Sequence, residues 1–133
     1  MVRLILAFAG LTAVAAAQQP AYEMTTYVVG FLKKGPSWTA ESTEETKKVQ
    51  AGHMANIQKM ADSGKLVLAG PFMDNSDIRG MFVFHGVTMD EAKAMTAEDP
   101  AIKSGRLVME WRPWYSAKGI GILKSEAKRQ EKD

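Results

Sequence analysis

Apolar and polar positions along the chain fall into stretches of different period, and the periods predict the elements. Met24 to Leu32 reads Met-Thr-Thr-Tyr-Val-Val-Gly-Phe-Leu. Its β-branched and aromatic residues predict a first strand, which Lys33-Lys34-Gly35-Pro36-Ser37 ends in a Gly-Pro turn. From Ser42 the period lengthens. Ser42-x-x-Glu45 has the form of a capping box, in which the hydroxyl accepts from the third helical N–H and the carboxylate reaches back to the cap. The helix it opens is predicted to run to Ser63, with Gly64 in the left-handed position that stops it. Val49, His53, Ile57 and Met60 recur on one face of it, at spacings of four, four and three.

Beyond Gly64 the apolar positions become continuous. Lys65 to Phe72 predicts a second strand, and Gly70-Pro71 leads it into the polar stretch Met73-Asp74-Asn75-Ser76-Asp77. Arg79 to His85 predicts a third, and its unbroken Met81-Phe82-Val83-Phe84 suits a central strand covered on both faces. Thr88-x-x-Glu91 is a second capping box, opening a short helix through about Ala97 that Asp99-Pro100 stops. Gly105 turns the chain into a fourth strand, Arg106 to Tyr115. The order β-α-β-β-α-β is the split pattern of ferredoxin-like domains, an α+β fold with a four-stranded antiparallel sheet and two helices on one face. The helix-free face also needs cover. A second copy packing sheet to sheet, giving a homodimer, is the natural solution.

The two ends differ from this body. Met1-Val2-Arg3 carries a positive charge, Leu4 to Val14 is apolar apart from Thr12, and Ala15-Ala16-Ala17 has the small-x-small form that signal peptidase reads. The apolar run is about 14 residues, short of the roughly 20 needed to span a bilayer as a helix. The expected organisation is a signal peptide over 1–17, a linker over 18–23, the domain over 24–116 and a charged tail over 117–133. The protein is then exported, periplasmic or secreted, without stable membrane insertion. In the tail, Ile120, Ile122 and Leu123 suit either a short docked helix or no fixed structure.

Composition narrows the partners. Apolar residues make up 46% and charged residues 24%, ordinary for a globular body. The net charge of +2 includes Arg3, and acids and bases are interspersed, so nucleic acid is not an expected partner. There is no cysteine, so neither a disulfide nor a lipidated cysteine is available, and the core alone must hold the fold.

His53-Met54-Ala55-Asn56-Ile57, followed by Ser63-Gly64-Lys65-Leu66-Val67-Leu68-Ala69-Gly70-Pro71, resembles the core signature of the YCII-related family. Asp90-Glu91-Ala92, Glu98-Asp99-Pro100 and Glu110-Trp111-Arg112-Pro113-Trp114 resemble its second half, so the likeness runs from about Tyr27 to Trp114. The resemblance implies a dimeric α/β barrel of ferredoxin-like subunits, and a recurrent histidine on the first helix with an acidic partner. Two features depart from the family's minimal domain: the leader and charged tail, and a long loop after the first strand that carries Trp38.

His53 is accordingly the leading catalytic candidate. An imidazole exchanges protons near neutral pH and can act as general acid or base; the alternative is a core histidine bonded to backbone. Asp62 is nine residues on, which at about 100° per residue puts it on the opposite helical face. Asp99, at the end of the second helix, can reach a cleft shared with His53, although Asp-Pro is also ordinary helix-stop chemistry. Gly70 and Pro71 are candidates for substrate contact, because glycine lets a ligand approach the backbone; the alternative is a plain strand end. Asp74 and Asp77 lack the length and glycine of a calcium loop, and His85 has no second histidine at ligand spacing. No metal and no cofactor is expected, since no dinucleotide or phosphate-loop fingerprint occurs. Trp111, Trp114 and Tyr115 are expected in the core and dimer interface, and the eight methionines from Met24 onward on core faces. Two functions remain: a cofactor-independent lyase, isomerase or hydrolase using His53 on a small organic substrate, or a non-catalytic ligand-binding or dimerisation module.

Overall fold

Two strands hold the middle of the sheet because their side chains are apolar on both faces. In β1 (Met24–Lys34) and β3 (Ile78–His85), Val28, Leu32, Phe82 and Phe84 point to one side, and Tyr27, Val29 and Val83 to the other, all buried. β2 (Leu66–Pro71) flanks β3 and β4 (Leu107–Ala117) flanks β1, giving the order β2-β3-β1-β4 with every neighbour antiparallel. This is the ferredoxin-like arrangement. The chain is seen in a computed structural model that describes residues 23–119. The predicted leader (1–17) and the apolar group Ile120, Ile122 and Leu123 lie outside the described residues. β4 reaches Ala117, one residue into the predicted tail, where it pairs with Met24.

α1 (Glu44–Asp62) starts one residue later than the sequence suggests. Thr43, not Ser42, is the cap: Thr46 N donates to Thr43 Oγ1 at 3.1 Å and Thr43 N donates to Thr46 Oγ1 at 2.8 Å. The Thr46 hydroxyl thus fills the role expected of the Glu45 carboxylate, and Glu44 and Glu45 instead face the positive end of the helix dipole. Gly64 ends α1 with φ of 74°, as predicted. α2 (Met89–Ala97) has the predicted box, Glu91 N donating to Thr88 Oγ1 at 3.1 Å and Thr88 N to Glu91 Oε2 at 2.6 Å. The Thr88 backbone N–H, and after it the Thr88 hydroxyl, hold the Glu91 carboxyl below the usual range.

Asp99-Pro100 is more than a stop. Asp99 caps a further short helix, α3 (Pro100–Lys103), with Pro100 in the first turn, where its missing N–H costs nothing. The expected pair of helices is therefore three segments, and Met60, Ala92 and Ala101 carry all three onto the face of Phe82 and Phe84. On the helix-free face, Phe31, Val67 and Met81 close around Tyr27, Val29 and Val83.

Trp111 joins the helix-side core, while Trp114 is 43% and Tyr115 67% exposed in the single chain. One packing expectation needs correction. Of the methionines, Met60 is fully buried, whereas Met24, Met54 and Met73 are exposed, Met73 at 96%. Met73 sits in the polar loop before β3, where nothing packs over it.

Candidate active site

The site is assembled where α1 crosses the start of α3. His53 and Asn56 lie three residues apart on α1, so both face the sheet. Gly52, the residue before His53, lets α3 come close. A Cβ built there would stand 2.6 Å from Pro100 Cγ. That approach brings the cap residue of α3, Asp99, directly to His53.

The contact is short and dry. His53 Nδ1 lies 2.7 Å from Asp99 Oδ2, with Asp99 at 0% exposure. Asp99 Oδ1 accepts from Ala101 N at 2.8 Å, and Asn56 Nδ2 stands 3.5 Å from Oδ2. Every partner of this carboxylate is a donor, so His53 Nδ1–H donates to it and the imidazole lone pair falls on Nε2. The ring lies nearly parallel over Phe82, centroids 6.2 Å apart, which fixes its plane. One side chain thus caps α3 through Oδ1 and meets His53 through Oδ2, so the helix-stop role of Asp99 and its contact with His53 coexist.

His53 lines a cavity of about 310 Å³ between α1, the ends of β2 and β3, and the β1–α1 loop. Leu32, Ile57, Phe82 and Leu107 give it an apolar wall. With Nδ1 tied to Asp99, Nε2 is the nitrogen left for a ligand. Gly70 and Pro71 line the same cavity, so the structure brings together His53, Asp99, Gly70 and Pro71. Gly70 contributes backbone alone. It pairs with Met81, a residue of the opposite face, and a Cβ there would meet nothing within 4 Å. The close approach in this part of the sheet is instead at its neighbour Gly80, where a Cβ would meet Gly70 O at 2.8 Å.

Other candidates fall elsewhere. Asp62 accepts from Gln58 Nε2 at 2.7 Å on the exposed side of α1, as its helical phase requires. His85 is on the other sheet face, 3.1 Å from Thr25 Oγ1 and packed on Tyr27. Asp74 accepts from Ser76 Oγ, and Asp77 pairs with Lys33. Among the described residues no group of three or more metal-ligating side chains gathers.

Five residues of the site carry no sequence signal strong enough to select them. Gly52 comes nearest, since a glycine inside a helix costs about 1 kcal/mol relative to alanine and so asks for a reason. Asn56 is a polar residue on an otherwise apolar stripe. Trp38, Arg79 and Arg106 come from a loop and two strand ends, and no spacing in the sequence relates them.

Fold and site together define a ferredoxin-like α+β protein with a histidine–carboxylate pair beside an apolar cavity. The model of the YCII-related domain matches residues 26–114, and the chain belongs to that family. No curated protein matches the chain. Among solved structures it is similar to 5-chloro-2-hydroxyhydroquinone dehydrochlorinase (TftG) from Burkholderia phenoliruptrix AC1100, in complex with 2,5-dihydroxybenzoquinone. The identity is 18%, the TM-score 0.49, and the match covers 68% of this chain and 93% of that one.

Proposed function

We propose that this YCII-related chain is an acid/base enzyme acting on a small organic ligand, with His53 Nε2 as the group that moves the proton. The observation that carries the reading is the 2.7 Å contact between His53 Nδ1 and the fully buried Asp99. A carboxylate on Nδ1 holds the ring in the tautomer that leaves Nε2 basic, and stabilises the imidazolium formed when Nε2 takes a proton. Phe82 and the apolar wall keep water from competing for that proton. Lyase, isomerase and hydrolase chemistry all need such a group.

The test is consumption of a component of a metabolite extract, followed by mass spectrometry, for wild type, His53→Gln and Asp99→Asn. Wild type should deplete at least one component, and each variant should slow this by on the order of 10²–10⁴. A component retained without chemical change, equally by all three proteins, would make the chain a binding module.

Two further parts belong to this reading. The chain forms a homodimer over the helix-free face, a pairing favoured by the exposed Trp114 beside Tyr27 at 5.7 Å between centroids. It is exported after cleavage behind Ala17, on the strength of Arg3, the apolar run and Ala15-x-Ala17. Light scattering at about twice the monomer mass and an intact mass beginning at Gln18 are the expected results.

A further inference from the structure

At the mouth of the cavity, positive charge gathers around one indole without a counter-charge. The Arg106 guanidinium lies 4.6 Å from the Trp38 ring centroid, that of Arg79 5.4 Å, and Lys34 Nζ 5.8 Å. Arg79, Arg106 and Trp38 all line the cavity that holds His53. Among the described residues no carboxylate within ion-pair distance serves any of the three cations; the Asp74 carboxylate, in the loop that Arg79 contacts, accepts from Ser76 Oγ instead. Glu41, which shares a neighbouring shallow groove with Arg106, makes no ion pair with it. Arg106 Nη1 donates only to Thr39 O at 2.8 Å, and Arg79 Nη1 only to Asp74 O and Ser76 O. Arg79 Nε is buried and has no partner among the described residues.

Such a cluster is costly as it stands. Like charges repel, and the indole face offsets each cation only in part. Burying an unpaired N–H adds a further cost. Backbone carbonyls hold one end of each guanidinium and leave the other donors free for an acceptor brought from outside. Guanidinium forks suit a planar two-oxygen anion. The remaining wall, Leu32, Ile57, Phe82 and Leu107, is hydrocarbon, and a cavity of about 310 Å³ lies at the small end for ligand sites.

We infer that Arg79, Arg106 and Trp38 anchor a carboxylate of the ligand, so that the site takes a small organic acid with an apolar body. This rests on the proposed acid/base site. The carboxylate sits at the arginines, the body fills the hydrocarbon wall, and the bond that changes lies toward His53.

Calorimetric titration with benzoate, benzamide and inorganic phosphate separates the possibilities. Benzoate and benzamide share size and shape and differ in charge. Benzoate should bind at least about tenfold more tightly, equivalent to about 1.4 kcal/mol, and should weaken with added salt. Arg106→Gln and Arg79→Gln should each bring benzoate toward benzamide, while benzamide binding, unchanged, reports an intact cavity. His53→Gln should retain the preference for benzoate. Equal affinity for benzoate and benzamide, no binding of benzoate, or phosphate binding as tightly as benzoate each overturns the carboxylate anchor. If the preference holds while His53→Gln leaves turnover unaltered, the anchor stands and the acid/base reading fails. If His53→Gln abolishes turnover and benzoate is not preferred, the acid/base reading stands and the anchor fails.

Discussion

His53 and His85 lie on opposite faces of the same sheet. The imidazole of His53 is buried on the helix side, bonded through Nδ1 to a fully buried carboxylate and stacked on Phe82. That of His85 ends β3 on the helix-free side, where it meets a hydroxyl, Thr25 Oγ1, and the Tyr27 ring at 5.0 Å between centroids. Both rings touch an aromatic and both have one short polar contact. What separates them is the partner's chemistry and the space beside it. A carboxylate selects a tautomer and supports a charged ring, whereas a hydroxyl both donates and accepts and selects nothing. Of the two, His53 alone lines the cavity with the polar mouth. Reactive potential therefore follows from the helices, which bring Asp99 and the cavity to one face.

The contrast between the two rings breaks most readily at Asp99. Asp99→Asn keeps the volume and an oxygen for Ala101 N, but can offer His53 Nδ1 an N–H in place of an acceptor. Turnover should fall on the order of 10²–10⁴, while His85→Gln should leave it within about twofold. Equal losses from both would remove the distinction between the two imidazoles.

Stability should divide them next. His53→Ala strands a buried carboxylate that has lost its best donor and opens a void beside Phe82, costing about 2–4 kcal/mol. His85→Ala removes one contact at a strand end, for about 1 kcal/mol or less. Urea unfolding of both variants measures the gap. A cost below about 1 kcal/mol for His53→Ala would mean that the pair contributes little to the fold.

Gly52→Ala sharpens the geometric side of the contrast without touching either ring. In a free helix the change would stabilise by about 1 kcal/mol. Here the added methyl meets Pro100 at 2.6 Å, so α3 must move and carry Asp99 away from His53. The expected net effect is a loss of about 1 kcal/mol, with an upfield shift of the His53 Nδ1–H proton resonance and no change at His85. A gain in stability with that resonance unmoved would show the α1–α3 approach to be slack.

The smallest effect lies outside both histidines, at Glu91 and Glu110. Thr88 holds the carboxyl of Glu91, and Lys33 that of Glu110, below the ordinary range. A lowered folded-state value means stability that is present above the unfolded value, near pH 4.3, and lost as pH falls through the folded one. Both groups are solvent-exposed, so the contributions are small. Glu91→Gln, which can still cap but carries no charge, should lower the melting temperature slightly above about pH 4.3 and leave it nearly unchanged in acid, which flattens the acid limb; a profile that keeps its neutral plateau and its acid limb would count against the cap as its source.

Much of the frame was legible in the chain because its signals are local. Strand composition placed β1 to β4 within about two residues, Gly64 marked the end of α1, and Thr88 with Glu91 opened α2. The start of α1 slipped by one, because Ser42 and Thr43 are both good caps and only the backbone bonds choose between them. α3 was hidden for a related reason: Asp-Pro reads as a stop, yet proline at the first helical turn is also a start.

Of the site, helical phase alone identified His53 as inward-facing and removed Asp62, since both inferences need only 3.6 residues per turn. The likeness to the YCII-related family added an acidic partner for His53, and the place of Asp99 at a helix end and of Gly70-Pro71 at a strand end made them candidates. That Asp99 meets His53 across 46 positions of sequence was decided by the approach of two helices, which depends on one missing methyl at Gly52. The mouth of Trp38, Arg79 and Arg106 was decided the same way, by a loop and two strand ends converging. Periodicity reports which way a side chain faces within its own element. Which elements then come face to face depends on how closely their backbones pack, and that belongs to the tertiary structure.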